Sequence, residues 1–96
     1  MSDALLIKTI LTKLKAELAD KFYVKSIGLF GSVVRDDFTP QSDIDIIVDF
    51  SKPVGIEFID LANYLELKLQ KKIDLVSKNG IKERYFKMIE GEIIYV

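Results

Sequence analysis

The sequence predicts a single α+β domain. Three segments with helical spacing of apolar residues alternate with four short strand-like runs. All of them lie within 96 residues, too few for a second core. With 49% hydrophobic and 30% charged residues, the composition is that of a globular chain, not a disordered one. The expected organisation is one domain over residues 1–96.

Residues 3 to about 21 read as an amphipathic helix. Ile7, Ile10, Leu11, Leu14 and Leu18 share a face, Lys8, Lys13 and Glu17 lie elsewhere, and Ser2 or Asp3 can cap the start. Tyr23 to Phe30 is a strand candidate that ends at Gly31, and Ser32 stands where a second helix could begin, with Val33, Val34 and Arg35 in its first turn. Such a junction exposes unpaired N–H groups and the positive end of a helix dipole, a setting that takes anions. Taken alone, Gly-Ser favours the plainer reading, in which Ser32 is merely a helix cap.

Asp36 to Ser42 is a polar loop broken by Pro40, followed by a strand over Asp43 to Phe50. Alternation puts Ile44, Ile46, Val48 and Phe50 on a core face, and Asp43, Asp45, Ile47 and Asp49 on the other. Same-face neighbours are about 6.7 Å apart along a strand, so Asp43 and Asp45 can grip one ion or two adjacent ions; Asp49, about 13 Å from Asp45, falls outside. Aspartate is rare in strands, and two on one face repel unless a cation lies between them.

Ser51 to Gly55 is a turn. Residues 56–71 form the next helix, with Ile59, Ala62, Leu65 and Leu69 on one stripe and Lys71 and Lys72 at its negative end. Ile73 to Ser77 is a short strand carrying one carboxylate, Asp74. Beside the Asp43–Asp49 strand it would bring a third ligand; otherwise it is an edge charge that discourages aggregation. Lys78 to Gly80 is a turn, and Ile81 to Glu90 is a short helix with Ile81, Tyr85, Met88 and Ile89 inward. Gly91 ends that helix, and Glu92 to Val96 is a last strand.

The chain has no cysteine and no histidine. That excludes disulfides, thiolate chemistry, Ser-His-Asp triads and most zinc sites. A net charge of −1 argues against a general nucleic-acid binder, so no direct nucleic-acid partner is expected. No apolar run is long enough to span a membrane, and MSDALLIK lacks the features of a signal peptide, so a cytoplasmic location is expected.

The central pattern is therefore Gly31-Ser32, ten residues, then Asp43-x-Asp45. By composition it arises by chance in roughly one chain in a thousand of this length. Here it also has the right setting, a glycine after one predicted strand and aspartates opening the next. A Gly-Ser bend suits phosphate oxygens and paired carboxylates suit hard divalent cations. Together they suggest a nucleoside triphosphate site.

The stretch GSVVRDDFTPQSDIDIIVDF resembles the signature of the DNA polymerase β-type nucleotidyltransferase superfamily, specifically its minimal nucleotidyltransferase (MNT) branch. The resemblance runs over most of the chain and implies the polymerase β-like fold, a small mixed β-sheet with flanking helices. It implies that Gly31, Ser32 and neighbouring N–H groups hold the triphosphate of ATP, and that Asp43, Asp45 and Asp74 are catalytic and bind two Mg²⁺ ions. Arg35, where the family often carries an arginine, would support a phosphate or an acidic neighbour. Asp36 stands where a glycine often follows that arginine. With the catalytic core filling the chain, the acceptor must come from a partner, in a homo- or hetero-oligomer. In the MNT branch that partner is typically a HEPN-domain toxin, and the MNT protein is an antitoxin that transfers AMP to a toxin tyrosine. Two alternatives stand beside this one. The first is a non-catalytic antitoxin that masks its partner, and the second a subunit of a small-molecule, antibiotic-modifying nucleotidyltransferase.

Overall fold

The computed structural model describes residues 3–35 and 37–96. The chain runs α1 (Asp3–Phe22), β1 (Val24–Phe30), a 3₁₀ turn (Gly31–Val34), β2 (Ile44–Phe50), α2 (Ile56–Leu69) and β3 (Ile73–Ser77). It ends with α3 (Glu83–Ile89), a second 3₁₀ turn (Glu90–Glu92) and β4 (Ile94–Tyr95). The sheet order is β3-β2-β1-β4. β1 is antiparallel to both β2 and β4, whereas β2 and β3 are parallel, joined through α2. A parallel pair needs such a crossover, which is why a 14-residue helix separates the two carboxylate-bearing strands. The expected small mixed sheet with flanking helices is the observed architecture.

Strand alternation divides the sheet into two faces. Ile44, Ile46 and Val48 of β2 join Ile27 and Leu29 of β1 in the main core, under Ile7, Leu11 and Leu18 of α1 and Leu61 and Leu65 of α2. The opposite face carries a smaller cluster, Phe30, Ile47 and Ile89, with Ile81, Phe86 and Ile93 packed against it. α3 and the C-terminal segment thus cover the face on which Asp45 lies, but only beyond it, at Ile47.

Ser2, one of the two cap candidates, lies outside the described residues, as does Asp36. Several other expectations need correction. In α2 Ile59 is 56% exposed, while Leu61 is fully buried. The helix is apolar on two sides, and the sheet takes the side bearing Phe58, Leu61 and Leu65; Ile59 is rotated about 100° from Phe58. In α3 Tyr85 and Met88 face outward, Met88 at 75% exposure. A seven-residue helix can turn only one short face inward, and Phe86 and Ile89 supply it. The last strand is two residues, not five, because Glu90–Glu92 form a turn before it. Finally, Lys71 does not serve the end of α2. Gln70, in the left-handed region, closes the helix by donating its N–H to the Glu66 carbonyl. Lys71 instead donates to the Pro40 carbonyl at 3.0 Å and lies over the Phe38 ring, tying down the loop before β2.

The corrected α2 face gives a direct test. Leu65→Ala should cost about 2–5 kcal/mol in chemical denaturation, and Ile59→Ala less than about 0.5 kcal/mol. Equal costs would mean that the helix is rotated from the orientation described.

Candidate active site

The site lies where β1 ends and where β2 and β3 begin. Antiparallel pairing sets Phe30 opposite Asp45, so the chain turns at Gly31 directly beside that carboxylate. Phe30 is extended and its ring is buried, and Gly31 then enters the left-handed region at φ +75°. A β-carbon at residue 31 would run into Oδ2 of Asp45 and come within 3.0 Å of its Cγ. Glycine is needed here twice over, for the backbone angle and for the close approach of the Asp45 carboxylate.

The expected helix after Gly31-Ser32 is a single 3₁₀ turn. It stops at Arg35, whose backbone is extended and whose N–H donates to the Ser32 carbonyl at 3.1 Å. The β-branched pair Val33-Val34 gives little support to a longer helix, and 3₁₀ turns are short by nature. Little helix dipole therefore reaches Ser32; what remains is a tight, half-buried bend.

Parallel pairing of β2 with β3 sets Asp45 in register with Asp74. The register starts with Ile44 N–H donating to the Lys72 carbonyl at 3.0 Å. Asp74 therefore stands beside the Asp43–Asp49 strand, as the functional reading of the short strand required. Asp43 sits one residue before β2 and, like Asp74, is exposed. Asp49 lies opposite Ser26, four residues along β2 from Asp45.

Asp45 is electrostatically stressed. Partial burial raises its pKa from 3.8 to about 6, helped by the Asp74 charge, a hydrogen bond to Asp74 and the Asp43 charge, with Arg35 opposing. The charges of Asp74 and Asp43 are thus both felt at Asp45. As the side chains stand, no group of three or more acidic side chains among the described residues is gathered closely enough to hold a metal ion. Asp45 and Asp74 form the pair, and Asp43 acts on Asp45 through its charge. The donor chemistry fits a hard divalent cation, because the donors are carboxylate oxygens whose repulsion such an ion would discharge. The bare Cα of Gly31 is what leaves room for the Asp45 carboxylate.

Arg35 is held by acids. Its Nη1 donates to Glu92 at 3.2 and 3.4 Å, and its Nε lies 3.5 Å from Asp37. An acidic neighbour is one of the two partners expected for Arg35, and Glu92 and Asp37 both stand there. Glu92 is the residue that sequence reasoning missed. Its Oε1 also accepts the Gly31 N–H at 3.2 Å, across 61 residues of chain. No local pattern marks it, since a lone glutamate before Ile-Ile-Tyr-Val reads as the polar start of a strand.

Comparison with known proteins gives the family and agrees with the fold. Residues 11–96 match the family described as nucleotidyltransferase domain. A protein adenylyltransferase, MntA, from Thermococcus cleftensis is 44% identical over 91 residues, covering 94% of this chain and 92% of its own. The crystal structure of a toxin–antitoxin complex with AMP-PNP aligns at TM-score 0.75 and 26% identity, over 92% of this chain and 70% of that one. A Shewanella oneidensis complex of a tri-AMPylated HEPN toxin with an MNT antitoxin shares the fold, at TM-score 0.67 and 23% identity, over 93% of this chain and 70% of that one. With its Gly-Ser bend, its in-register carboxylates and a match over nearly its whole length, the chain belongs to the nucleotidyltransferase domain family.

Proposed function

We propose that this protein is a Mg²⁺-dependent adenylyltransferase that moves AMP from ATP to a hydroxyl, that of a tyrosine, on a HEPN-type toxin. In doing so it acts as the antitoxin. The observation that carries the reading is the register of Asp45 with Asp74, directly beside the Gly31 bend. A tight bend with backbone N–H groups beside a carboxylate pair suits a nucleoside triphosphate with its divalent cation.

In this reading Ser32 and the backbone of the bend take the phosphate oxygens, and Asp43, Asp45 and Asp74 would hold the cation. When bound, the cation neutralises phosphate charge and acidifies the attacking hydroxyl. The hydroxyl oxygen forms a bond to the α-phosphorus as the bond to the bridging oxygen breaks, and pyrophosphate departs. Asp74 takes the hydroxyl proton. Positioning and electrostatics supply the catalysis, which suits a chain without histidine or cysteine. Asp43 and Asp74 are exposed, and β3 is an edge strand. An acceptor presented on another protein can therefore reach them, and the HEPN toxin of the structurally related complex is the kind of partner proposed.

Incubating the protein with α-labelled ATP, Mg²⁺ and the product of the adjacent gene should label that product on tyrosine. Label should be lost with a chelator, and γ-labelled ATP should give none. Neutralisation of the partner without label would favour masking, and label on an aminoglycoside instead would make the acceptor a small molecule.

A further inference from the structure

Glu92 has two partners, and they lie at opposite ends of one structural unit. Its Oε1 accepts the N–H of Gly31, the first residue of the 3₁₀ turn, and its carboxylate pairs with the guanidinium of Arg35, the residue that ends it. No side chain caps that turn from within. Glu92 is itself firmly mounted. Two residues on, β4 pairs with β1 through Gly28↔Tyr95 and Leu29↔Ile94, and the Val96 N–H donates to the Ile27 carbonyl at 3.0 Å. The C-terminal segment is thus fastened to the strand that ends at Gly31, and Glu92 reaches from it across the bend.

We propose that Glu92 is a positioning residue of the nucleotide site, clipping the two ends of the Gly31–Val34 turn so that its backbone and Ser32 are held ready for the triphosphate. The proposal rests on the bend being the phosphate seat. An ordinary surface ion pair would contribute little, since Arg35 is 54% exposed at its side chain. The contact to Gly31 is different in kind. It fixes the backbone of a left-handed glycine that stands against the Asp45 carboxylate. The pairing has a second consequence. Arg35 lies close enough for its charge to be felt at Asp45, and its ion pairs with Glu92 and Asp37 fix where that charge sits.

The test uses the full chain, with Mg·ATP binding measured by calorimetry on wild type, Glu92→Gln and Glu92→Ala. Amide exchange at Gly31 is followed by NMR in the same proteins. Glu92→Ala should weaken Mg·ATP about tenfold, the size of one lost charge-assisted contact. It should also speed exchange at Gly31 but not at Leu29. Glu92→Gln keeps an oxygen for the Gly31 N–H and should recover most of both, which a merely structural loss would not do. Binding within about twofold of wild type in Glu92→Ala would overturn the proposal, whatever the exchange shows. Tighter binding in either variant would also overturn it, since the carboxylate would then be competing with the triphosphate. Failure of the wild type to bind Mg·ATP would instead strike the phosphate-seat reading itself.

Discussion

Asp45→Asn should abolish adenylyl transfer and, in the same protein, raise the melting temperature of the cation-free chain at neutral pH. The two effects have one cause. Burial and the charges of Asp74 and Asp43 hold the Asp45 pKa at about 6, well above its ordinary 3.8. A raised carboxyl pKa means that the folded protein holds the proton more tightly than the unfolded chain. That stability is fully present below about pH 4 and is lost as the pH rises through 6. At pH 7.5 the ionised Asp45 therefore works against folding. The full shift would correspond to about 3 kcal/mol, and screening at this partly exposed side chain reduces it to about 1 kcal/mol. Asparagine keeps the shape and removes the charge. In EDTA at pH 7.5 the variant should melt about 4–8 °C above wild type, and the gap should close by pH 4. Added Mg²⁺ should raise the wild-type midpoint through binding and leave the variant unmoved. Transfer should fall by about a thousandfold or more, the scale of losing one electrostatic element of a preorganised site. A variant less stable than wild type at both pH values would remove the repulsion from the account.

Much of this arrangement was legible in the chain because it depends on local spacing. Alternation along β2 placed Ile44, Ile46 and Val48 in the core and Asp43 and Asp45 on the other face, and the observed burial follows that division. The step from Asp45 to Asp74 needed one further fact, that β2 and β3 are neighbours. A helix of crossover length between two apolar strands makes that the simplest arrangement. What escaped was tertiary. The two apolar sides of α2 compete, and only the position of the sheet decides that Leu61 goes in and Ile59 stays out. Val33 and Val34 looked like the first turn of a helix, but the chain straightens at Arg35, whose side chain is held between Asp37 and Glu92. Glu92 belongs to the bend only through the pairing of β4 with β1, a contact that no periodicity within residues 81–96 encodes.

Gly31→Ala should be the most damaging single-methyl change in the chain. At φ +75° any β-carbon is strained, at a cost of about 1–2 kcal/mol. Here that carbon also meets the Asp45 carboxylate and comes within 3.2 Å of its Cβ, so the bend or the aspartate must move. Phe30 before it is buried, and the Glu92 contact holds the Gly31 nitrogen, so the bend has little freedom to yield. The expected loss is about 2–4 kcal/mol of stability. Transfer should fall at least about a hundredfold in the fraction that remains folded, because a misplaced group in a positioned site costs about that much. Gly91→Ala is the control, since a β-carbon there meets nothing within 4 Å and the residue lies within a 3₁₀ turn; its effect should stay within about 0.5 kcal/mol. A double-mutant cycle separates the two penalties at residue 31. Asp45→Ala removes the obstructing carboxylate but leaves the left-handed angle, so Gly31→Ala should cost about 1–2 kcal/mol less in that background than in wild type. Asp45→Asn, which keeps the bulk, should give no such relief. Strict additivity with Asp45→Ala would mean that the methyl meets something other than Asp45, and the close approach that ties the bend to the carboxylates would have to be abandoned.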